Sequence, residues 1–436
     1  MSARTLIGAH RAVEALLETL PESWQVMRFK AVFARLDRRN VNLEYEMLSL
    51  RSTGEVVARA EMGGRQEPDE ASLPRYLVAE IGNLVVNPMW LIGGGIGVSR
   101  RAGAVSPDYR VFKARELLSP RFIHYLLRSQ PYLDQYLLYT RAQTTFDRRV
   151  QQPDLDNLPL PVPPLDEQRA IANYLDRETA RIDTLIEEQQ RLIEMLRERR
   201  QAVIESAVGH GLDPTAPMKP SGLFWIREVP QHWMVANIRK FATMKTGHTP
   251  SRSKPEYWVN CTTPWFTLAD VWQLRDGTRN YLGETTNLIS DLGLANSAAE
   301  LLPAGTVVLS RTASVGFSGI MPVDMATSQD FWNWIPGDRL HAEYLMWTFR
   351  AMRGELQSLM IGSTHKTIYQ PTAAAFQIPV PPIEEQQRIA AHVDEQTQKI
   401  DTLIAETERF IELSRERRSA LITTAVTGQI DVREVA

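Results

Sequence analysis

The sequence predicts an α+β fold in which two globular domains are separated by two long helices packed as an antiparallel coiled coil, with a pseudo-twofold internal repeat. Three observations predict it: one segment recurs at a fixed spacing, both copies carry a heptad pattern, and the regions between them mix strand and helix signals. The chain is predicted to begin with a helical extension, 1–20. A first globular domain, 21–158, is followed by a central repeat helix, 159–212, and a second globular domain, 213–376, is followed by a C-terminal repeat helix, 377–436.

The internal repeat is the strongest signal in the chain. Residues 163–208 align with residues 381–426 without a gap, at a spacing of 218, and 25 of the 46 positions are identical. Each copy opens on Pro-Pro-Leu/Ile-Asp/Glu-Glu-Gln, at Pro163 and at Pro381. Solenoid repeats recur every 20–50 residues or so, so two copies this far apart indicate a duplicated domain pair.

Both copies are predicted to be single long helices. No proline interrupts them, and acidic pairs at 166–167 and 384–385 suit the first turn because of the helix dipole. At roughly 1.5 Å per residue, each would be about 65 Å long. Apolar residues recur at steps of four and three, which predicts a packing seam between the helices. Its apolar members are Ile171, Leu175, Ile182, Leu185, Leu192, Leu196, Val203, Ile389, Val393, Ile400, Leu403, Phe410 and Leu421.

Five isoleucines lie beside this seam rather than on it, namely Ile186, Ile193, Ile204, Ile404 and Ile411. They allow two interpretations. They form a second apolar face for a partner, or they widen the interface between the two helices.

The regions between the helices are predicted to be α+β and relatively basic. Residues 83–88 and 305–309 have the pattern of buried strands, and residues 121–128 and 343–350 that of short amphipathic helices. Residues 1–150 hold 21 basic and 16 acidic residues, and residues 221–378 hold 13 and 12. The net charge of the whole chain is −3, so the positive charge is concentrated in the globular domains, as a polyanion partner would require.

Several loops carry the side chains that contact phosphates and base edges in DNA complexes. For any one residue, the alternative is an ordinary solvated loop. The candidate DNA-binding residues are Ser99, Arg100, Arg101, Arg141, Gln143, Thr144, Thr145, Arg148, Arg149, Thr246, His248, Thr249, Ser251, Arg252, Lys254, Ser310, Arg311, Thr312, Ser363, Thr364, His365 and Lys366.

Motifs for catalysis are missing from the sequence. The glycine-rich segment 93–97 lacks the Lys-Ser/Thr of a phosphate-binding loop and is interpreted as a turn or a close backbone approach. None of the eight lysines follows an Asp or Glu two positions earlier, as nuclease sites usually require. No amino-methyltransferase motif is present, and Cys261, the one cysteine, is interpreted as structural. We expect no catalytic residue, cofactor site or metal site.

Nothing in the sequence points to a membrane or to export. No stretch of about 18 apolar residues occurs, and the first twenty residues have charges within a helical pattern, unlike a signal peptide. With a single cysteine, the chain is expected to be cytoplasmic.

Over residues 20–430, the chain resembles the specificity subunit of Type I restriction–modification systems. The resemblance rests on a Pro-x-x-Trp entry at Pro21 and again at Pro230, a Gly-x-Thr-Pro…Glu-Tyr-Trp run from Gly247 to Trp258, and the doubled Pro-Pro motif. It implies two target-recognition domains, each reading one half of a split site in double-stranded DNA, on antiparallel helices. The first domain lacks the Gly-x-Thr-Pro…Tyr-Trp run, which weakens the transfer of contacts to it.

The resemblance also implies partners. The helices would set the spacer between the half-sites and dock two methyltransferase subunits, and two restriction subunits can join the complex. S-adenosylmethionine and ATP with Mg²⁺ would be bound by those subunits and not by this chain. Two alternatives stay open: the specificity module of a related phage-defence methyltransferase, and a coiled-coil scaffold that does not bind DNA.

Overall fold

A computed structural model describes residues 11–63, 69–140, 148–312, 315–360 and 367–433. The chain divides into two units, one formed by Met1–Glu188 with Phe410–Ala436 and the other by Gln189–Arg409. Each unit therefore contains one globular region and parts of both repeat helices.

The first unit is built on a four-stranded antiparallel sheet with Leu84 opposite Phe112. Its strands, in order across the sheet, are Phe33–Leu36, Arg110–Ala114, Leu84–Val86 and Ile96–Val98. One face of this sheet packs on helices through Phe112, Phe122 and Tyr132, and Val85 and Val111 form a smaller core on the other face. The elements in this part of the chain are α1 Arg11–Leu17, β1 Gln25–Arg28, α2 Phe29–Val32, β2 Phe33–Leu36, β3 Leu48–Leu50, β4 Val56–Ala58, β5 Leu77–Ala79, β6 Leu84–Val86, β7 Ile96–Val98, β8 Gly103–Val105, β9 Arg110–Ala114, α3 Pro120–Leu126, α4 Gln130–Tyr139, α5 Gln152–Asp156, β10 Pro159–Val162 and α6 Leu165–His210, which continues into the second unit from Gln189.

The second unit repeats the sheet, with Val307 opposite Trp334. Its strands, in order across the sheet, are Ala242–Thr246, Phe331–Pro336, Val307–Ser310 and Ser318–Ile320. Its main core holds Trp334, Trp347 and Tyr344. An added three-stranded sheet consists, in order, of Asn287–Ile289, Thr263–Phe266 and Ala326–Thr327. The elements in this part of the chain are β11 Met218–Pro220, β12 Glu228–Pro230, β13 Met234–Asn237, β14 Ala242–Thr246, β15 Thr263–Phe266, β16 Asn287–Ile289, α7 Asp291–Ala295, β17 Val307–Ser310, β18 Ser318–Ile320, β19 Ala326–Thr327, β20 Phe331–Pro336, α8 Ala342–Ala351, α9 Arg353–Ser358, α10 Gln370–Ala374, β21 Gln377–Val380 and α11 Ile383–Val426, which continues into the first unit from Phe410.

These elements confirm the predicted fold class. The strands expected at 83–88 and 305–309 are β6 and β17, and the short helices expected at 121–128 and 343–350 are α3 and α8. The two repeats form α6 and α11. Within the second unit these helices run antiparallel, because Arg200 pairs with Asp401 while Arg197, three residues earlier, pairs with Glu408.

The glutamine of each Pro-Pro motif fastens its globular region to its helix. Gln168 is fully buried; its side-chain carbonyl accepts the Ser119 main-chain N–H at 2.7 Å, and its amide donates to the carbonyl of Leu117 at 2.9 Å. Gln386, 218 positions later, makes the same bonds to His341 and Arg339, at 2.8 and 3.0 Å. A buried amide with its hydrogen bonds satisfied is costly to remove, which explains why the motif appears twice.

Burial agrees with the predicted seam at both ends and contradicts it in the middle. Ile171 and Leu175 are buried in the first unit, and Ile389, Val393 and Ile400 in the second. In contrast, the side chains predicted to pack at 192, 403 and 410 are exposed, by 36 % for Leu192, 49 % for Leu403 and 44 % for Phe410. Of the other predicted members, four lie half-buried in α6 and one in α11, namely Ile182, Leu185, Leu196, Val203 and Leu421.

The shift begins at Thr179. This residue is buried and donates its hydroxyl to the Leu175 carbonyl at 2.6 Å, whereas a step of three from Leu175, as the predicted seam takes next, reaches Glu178 instead. A buried threonine avoids the cost of burying a carboxylate. It also moves the buried positions of the helix on by one residue, so that they fall at Ile186 and Ile193 instead of Leu185 and Leu192. Ile204 and Ile411 are also buried and Ile404 is half-buried, which favours the interpretation that these isoleucines serve the protein's own interior.

Among the residues described, none of the helices is both long enough and apolar enough to cross a lipid bilayer.

Candidate nucleic-acid interface

In the second unit, Arg311 lies where several polar loops meet. It follows β17, and its Nε donates to the main-chain carbonyl of Gln329 at 2.7 Å. Its guanidinium carbon lies 4.3 Å from the ring centroid of Trp332, which is a cation–π contact. Burial lowers the pKa of Arg311 from its ordinary value, although arginine remains charged at neutral pH. Two neighbours therefore fix the orientation of this guanidinium.

The segment before α10 also meets Arg311. The main-chain N–H of Ile368 donates to the carbonyl of Arg311 at 3.0 Å, and the hydroxyl of Thr367 donates to the same oxygen at 2.9 Å. These two residues directly follow the predicted loop with Ser363, Thr364, His365 and Lys366, and those four candidates lie outside the described residues. The structure thus brings the two residues that follow this loop in the chain to Arg311.

Gln329 belongs to this site, and sequence reasoning missed it. It is exposed in the turn between β19 and β20, and its side-chain carbonyl accepts the Thr249 hydroxyl at 2.7 Å. The next residue, Asp330, accepts the hydroxyl of Thr312 at 2.9 Å. Gln329 lies in a short polar run between Ser328 and Asp330, and such a run carries no periodic signal, so only the pairing of the loops shows its place.

The loop after β14 is held by a close backbone approach at Gly247. A Cβ at this position would overlap the carbonyl oxygens of Thr327 and Ser328, so only glycine fits. The main-chain N–H of His248 then donates to the Thr327 carbonyl at 3.1 Å. This contact leaves the side chains of Thr246 and His248 exposed beside the turn.

Two cations of the same loop rest on aromatic rings. The guanidinium carbon of Arg252 lies 5.0 Å from the ring centroid of Trp258, whose Nε1 donates to the Ser251 carbonyl at 3.2 Å. The Nζ of Lys254 donates to the hydroxyl of Tyr257 at 3.1 Å, which raises the pKa of this lysine. The Tyr-Trp pair therefore serves as a support for exposed positive charge.

Burial contradicts two of the predicted DNA contacts. Ser99 and Ser310 are buried, and their hydroxyls donate to carbonyls two residues later, at Arg101 with 2.6 Å and at Thr312 with 3.2 Å. Both serines shape their loops from within and present no group to a ligand.

The remaining candidates of the first unit are dispersed. Arg100 is exposed after β7, and its neighbour Arg101 pairs with Glu61 at 2.7 Å. Arg149 lies 3.5 Å from the carboxylate of Asp108. Of the others in this unit, Arg148 is half-buried, and four lie outside the described residues: Arg141, Gln143, Thr144 and Thr145.

Arg110 in β9 is a second residue that the sequence did not indicate. It is buried opposite Val86, and its Nη2 donates to the carbonyl of Val150 at 2.9 Å. In the second unit, Trp332 has the equivalent place in β20, and its Nε1 donates to the carbonyl of Ile368 at 3.0 Å. An arginine in one unit therefore fills the position of a tryptophan in the other.

The backbone around these two residues is the same in both units. The N–H of Val150 donates to the carbonyl of Pro88 at 3.0 Å, just as the N–H of Ile368 donates to that of Arg311. Proline thus stands in the first unit where the second has Arg311. The frame is repeated while the side chains mounted on it differ.

The glycine-rich segment forms one wall of a cavity of about 530 Å³ in the first unit, which is also lined by Leu50, Arg51, Asn87 and the exposed Trp90. A Cβ on Gly97 would overlap the carbonyl oxygen of Gly54, so the predicted close backbone approach is confirmed. The close packing of the backbone therefore explains the glycine at this position, and no phosphate-binding role is needed to explain it.

A family of known proteins matches most of the chain. The profile of the Type I restriction modification DNA specificity domain covers residues 101–195 and 230–412. The Type I restriction enzyme MjaIX specificity subunit of Methanocaldococcus jannaschii is 31 % identical over 167 residues, which is 38 % of each chain. The EcoR124I/EcoR124II specificity subunit of Escherichia coli is 28 % identical over 36 % of this chain and 38 % of its own length.

Longer matches have lower identity. The MjaVIII specificity subunit of M. jannaschii is 21 % identical over 78 % of this chain and 77 % of its own. Among solved structures, a chain from a study of assembly and conformational transition of the type I R-M system covers 94 % of this chain and 100 % of its own, with a TM-score of 0.74 and 19 % identity. The HsdS subunit from Thermoanaerobacter tengcongensis covers 94 % and 98 %, with a TM-score of 0.56 and 19 % identity.

Proposed function

The chain belongs to the Type I restriction–modification DNA specificity family, so its role is DNA recognition, and on that premise we propose that each unit reads one half of a bipartite, asymmetric target. The observation that carries this proposal is that the two units share the same backbone hydrogen bonds but have different side chains at the equivalent positions. The carbonyls of Pro88 and Arg311 accept equivalent hydrogen bonds, while their side chains offer nothing in common to a base. Two readers with one backbone and different side chains suit two different half-sites.

We propose that the helices set the spacing between the half-sites, since the buried glutamines Gln168 and Gln386 fasten each globular region to a helix. We also propose that the helices dock two methyltransferase subunits. Exposed apolar side chains support this: Met195 and Leu413, which are 218 positions apart, are exposed by 57 % and 46 %. Equivalent exposed residues in a duplicated chain suit two copies of one partner.

This chain supplies recognition, and the chemistry belongs to its partners. The methyltransferase subunits transfer a methyl group from S-adenosylmethionine to N6 of adenine. Where two restriction subunits join, ATP with Mg²⁺ is bound by them. We propose that the complex acts on double-stranded DNA in the cytoplasm.

The test is a map of modified adenines. A host without adenine methylation receives the chain together with its methyltransferase subunit, and the genome is sequenced by a method that detects N6-methyladenine. We expect one motif with two unlike half-sites and an unread spacer. A continuous palindromic motif, or the absence of methylation although the complex assembles, would overturn the proposal.

A further inference from the structure

We propose that Arg311 reads a guanine in the half-site of the second unit, an inference that rests on the proposed DNA recognition. Its position is chosen by the comparison between the units. Pro88 and Arg311 have the same backbone contact, so the frame does not require either side chain. If the two units recognise different DNA sequences, the residues that contact the bases must differ between them. A position with the same backbone contacts and a different side chain in each unit meets this requirement.

The contacts of Arg311 within the protein hold its two terminal nitrogens, Nη1 and Nη2, in one orientation. Its Nε is occupied by the Gln329 carbonyl and its flat face by the Trp332 ring. Among the described residues, the one hydrogen bond of this guanidinium is made by Nε, and Nη1 and Nη2 have no partner. These two nitrogens form a rigid fork, and an arginine fork bound to O6 and N7 of guanine is the commonest specific contact in the major groove.

Arg350, in the same unit, shows how an arginine with a structural role differs from Arg311. Arg350 is buried, and its terminal nitrogens donate to the carbonyl of Gly277 at 2.9 Å, to the Asn280 side chain at 2.9 Å and to the carbonyl of Ser318 at 3.2 Å. That guanidinium is used entirely within the protein. Arg311 is half-buried, and the contacts found for its guanidinium among the described residues are those of Nε with the Gln329 carbonyl and of its face with Trp332, so its two terminal nitrogens are left for a ligand.

Gln329 and Thr249 act as positioning residues for this fork. The carbonyl of Gln329 orients Arg311, and the hydroxyl of Thr249 holds the Gln329 side chain at 2.7 Å. A preformed orientation saves the entropy that a free arginine would lose on binding. A phosphate contact does not need this orientation, because it is sequence-independent and a mobile side chain can make it.

The test compares methylation motifs from the full complex of the chain with its methyltransferase, carrying either the natural chain or a variant. We expect the natural motif to contain a guanine in the half-site of the second unit. In Arg311→Ala this one position becomes degenerate, and the preference for guanine there, about 5- to 150-fold for a bidentate contact, is lost. Every other position of the motif remains.

Arg311→Lys separates base reading from charge. Lysine keeps the positive charge but lacks the fork, so we expect it to lose most of the guanine preference. Arg239→Ala, at an exposed arginine in the turn after β13, is the matched control and keeps the natural motif.

Two results would overturn the inference. The first is an unchanged motif in Arg311→Ala, and the second is a uniform loss of methylation that Arg311→Lys restores, as a phosphate contact predicts. Both are distinct from failure of the proposed function, in which the natural chain itself produces no bipartite motif.

Discussion

Arg200 and Asp401 form an ion pair in the second unit, with 2.8 Å between Nε and Oδ1, and the same two residue types pair again in the first unit with their helices exchanged. There, Arg418 of α11 binds Asp183 of α6, also at 2.8 Å. Each residue lies 218 positions from its counterpart. The duplication has therefore kept the contacts between helices as reciprocal pairs.

The two pairs differ in burial, which predicts different contributions to stability. The side chains of Arg200 and Asp401 are 13 % and 22 % exposed, and those of Arg418 and Asp183 are 36 % and 48 % exposed. We expect Asp401→Asn to destabilise by about 1–3 kcal/mol, because it leaves a charge largely desolvated, and Asp183→Asn by less than about 1 kcal/mol. Thermal unfolding of both variants measures this difference. Equal melting temperatures would show that burial does not control these pairs.

The corrected seam makes a second prediction, on residues one turn apart in α11. Ile400 is buried and Leu403 is half-exposed, although the heptad count placed both inside. Ile400→Asp buries an unpaired carboxylate and should disrupt the packing of the helices, while Leu403→Asp should leave it intact. Circular dichroism and limited proteolysis distinguish the two. If both variants disrupt the packing equally, the heptad prediction that places Ile400 and Leu403 inside is correct after all.

The sequence predicts the fold further than it predicts the site. Periodicity and the repeat are enough for α6, α11, β6 and β17, since each of these elements has a pattern of its own. The seam register was missed because Leu192 and Ile193 are adjacent and both apolar, so the pattern alone cannot choose between them. The choice is made at Thr179, which is buried through its own hydrogen bond.

The site depends on strand pairings between distant segments, and local pattern does not contain them. Arg110 and Trp332 become equivalent only when β9 and β20 are placed in their sheets. Gln329 becomes part of the site only when its turn meets Thr249, 80 residues earlier. Composition correctly located the polar loops but could not separate an inward serine such as Ser310 from an accessible side chain.

Met195 and Leu413 make a third prediction, on assembly. If each marks one docking site for a methyltransferase subunit, a glutamate at either position should remove one subunit, and the double variant should bind none. The apolar area lost from an interface weakens binding, while an exposed helix position tolerates glutamate. Native mass spectrometry of the complex counts the subunits. Two subunits retained by the double variant, with the helices intact, would place docking elsewhere.

Gly247 makes the last prediction, because it joins the loop after β14 to the turn with Gln329. Alanine at this position overlaps two carbonyl oxygens of that turn and forces the loop away, at a cost of about 1–3 kcal/mol. We expect Gly247→Ala to lower methylation of the natural motif while the sheet and the helices stay folded. Gly354→Ala is the matched control: it lies in α9, a Cβ there meets nothing within 4 Å, and alanine should stabilise the helix by about 0.5–1 kcal/mol. Methylation rates of the two complexes on one substrate decide the question. Equal rates would mean that the contact at Gly247 does not position the loop for DNA.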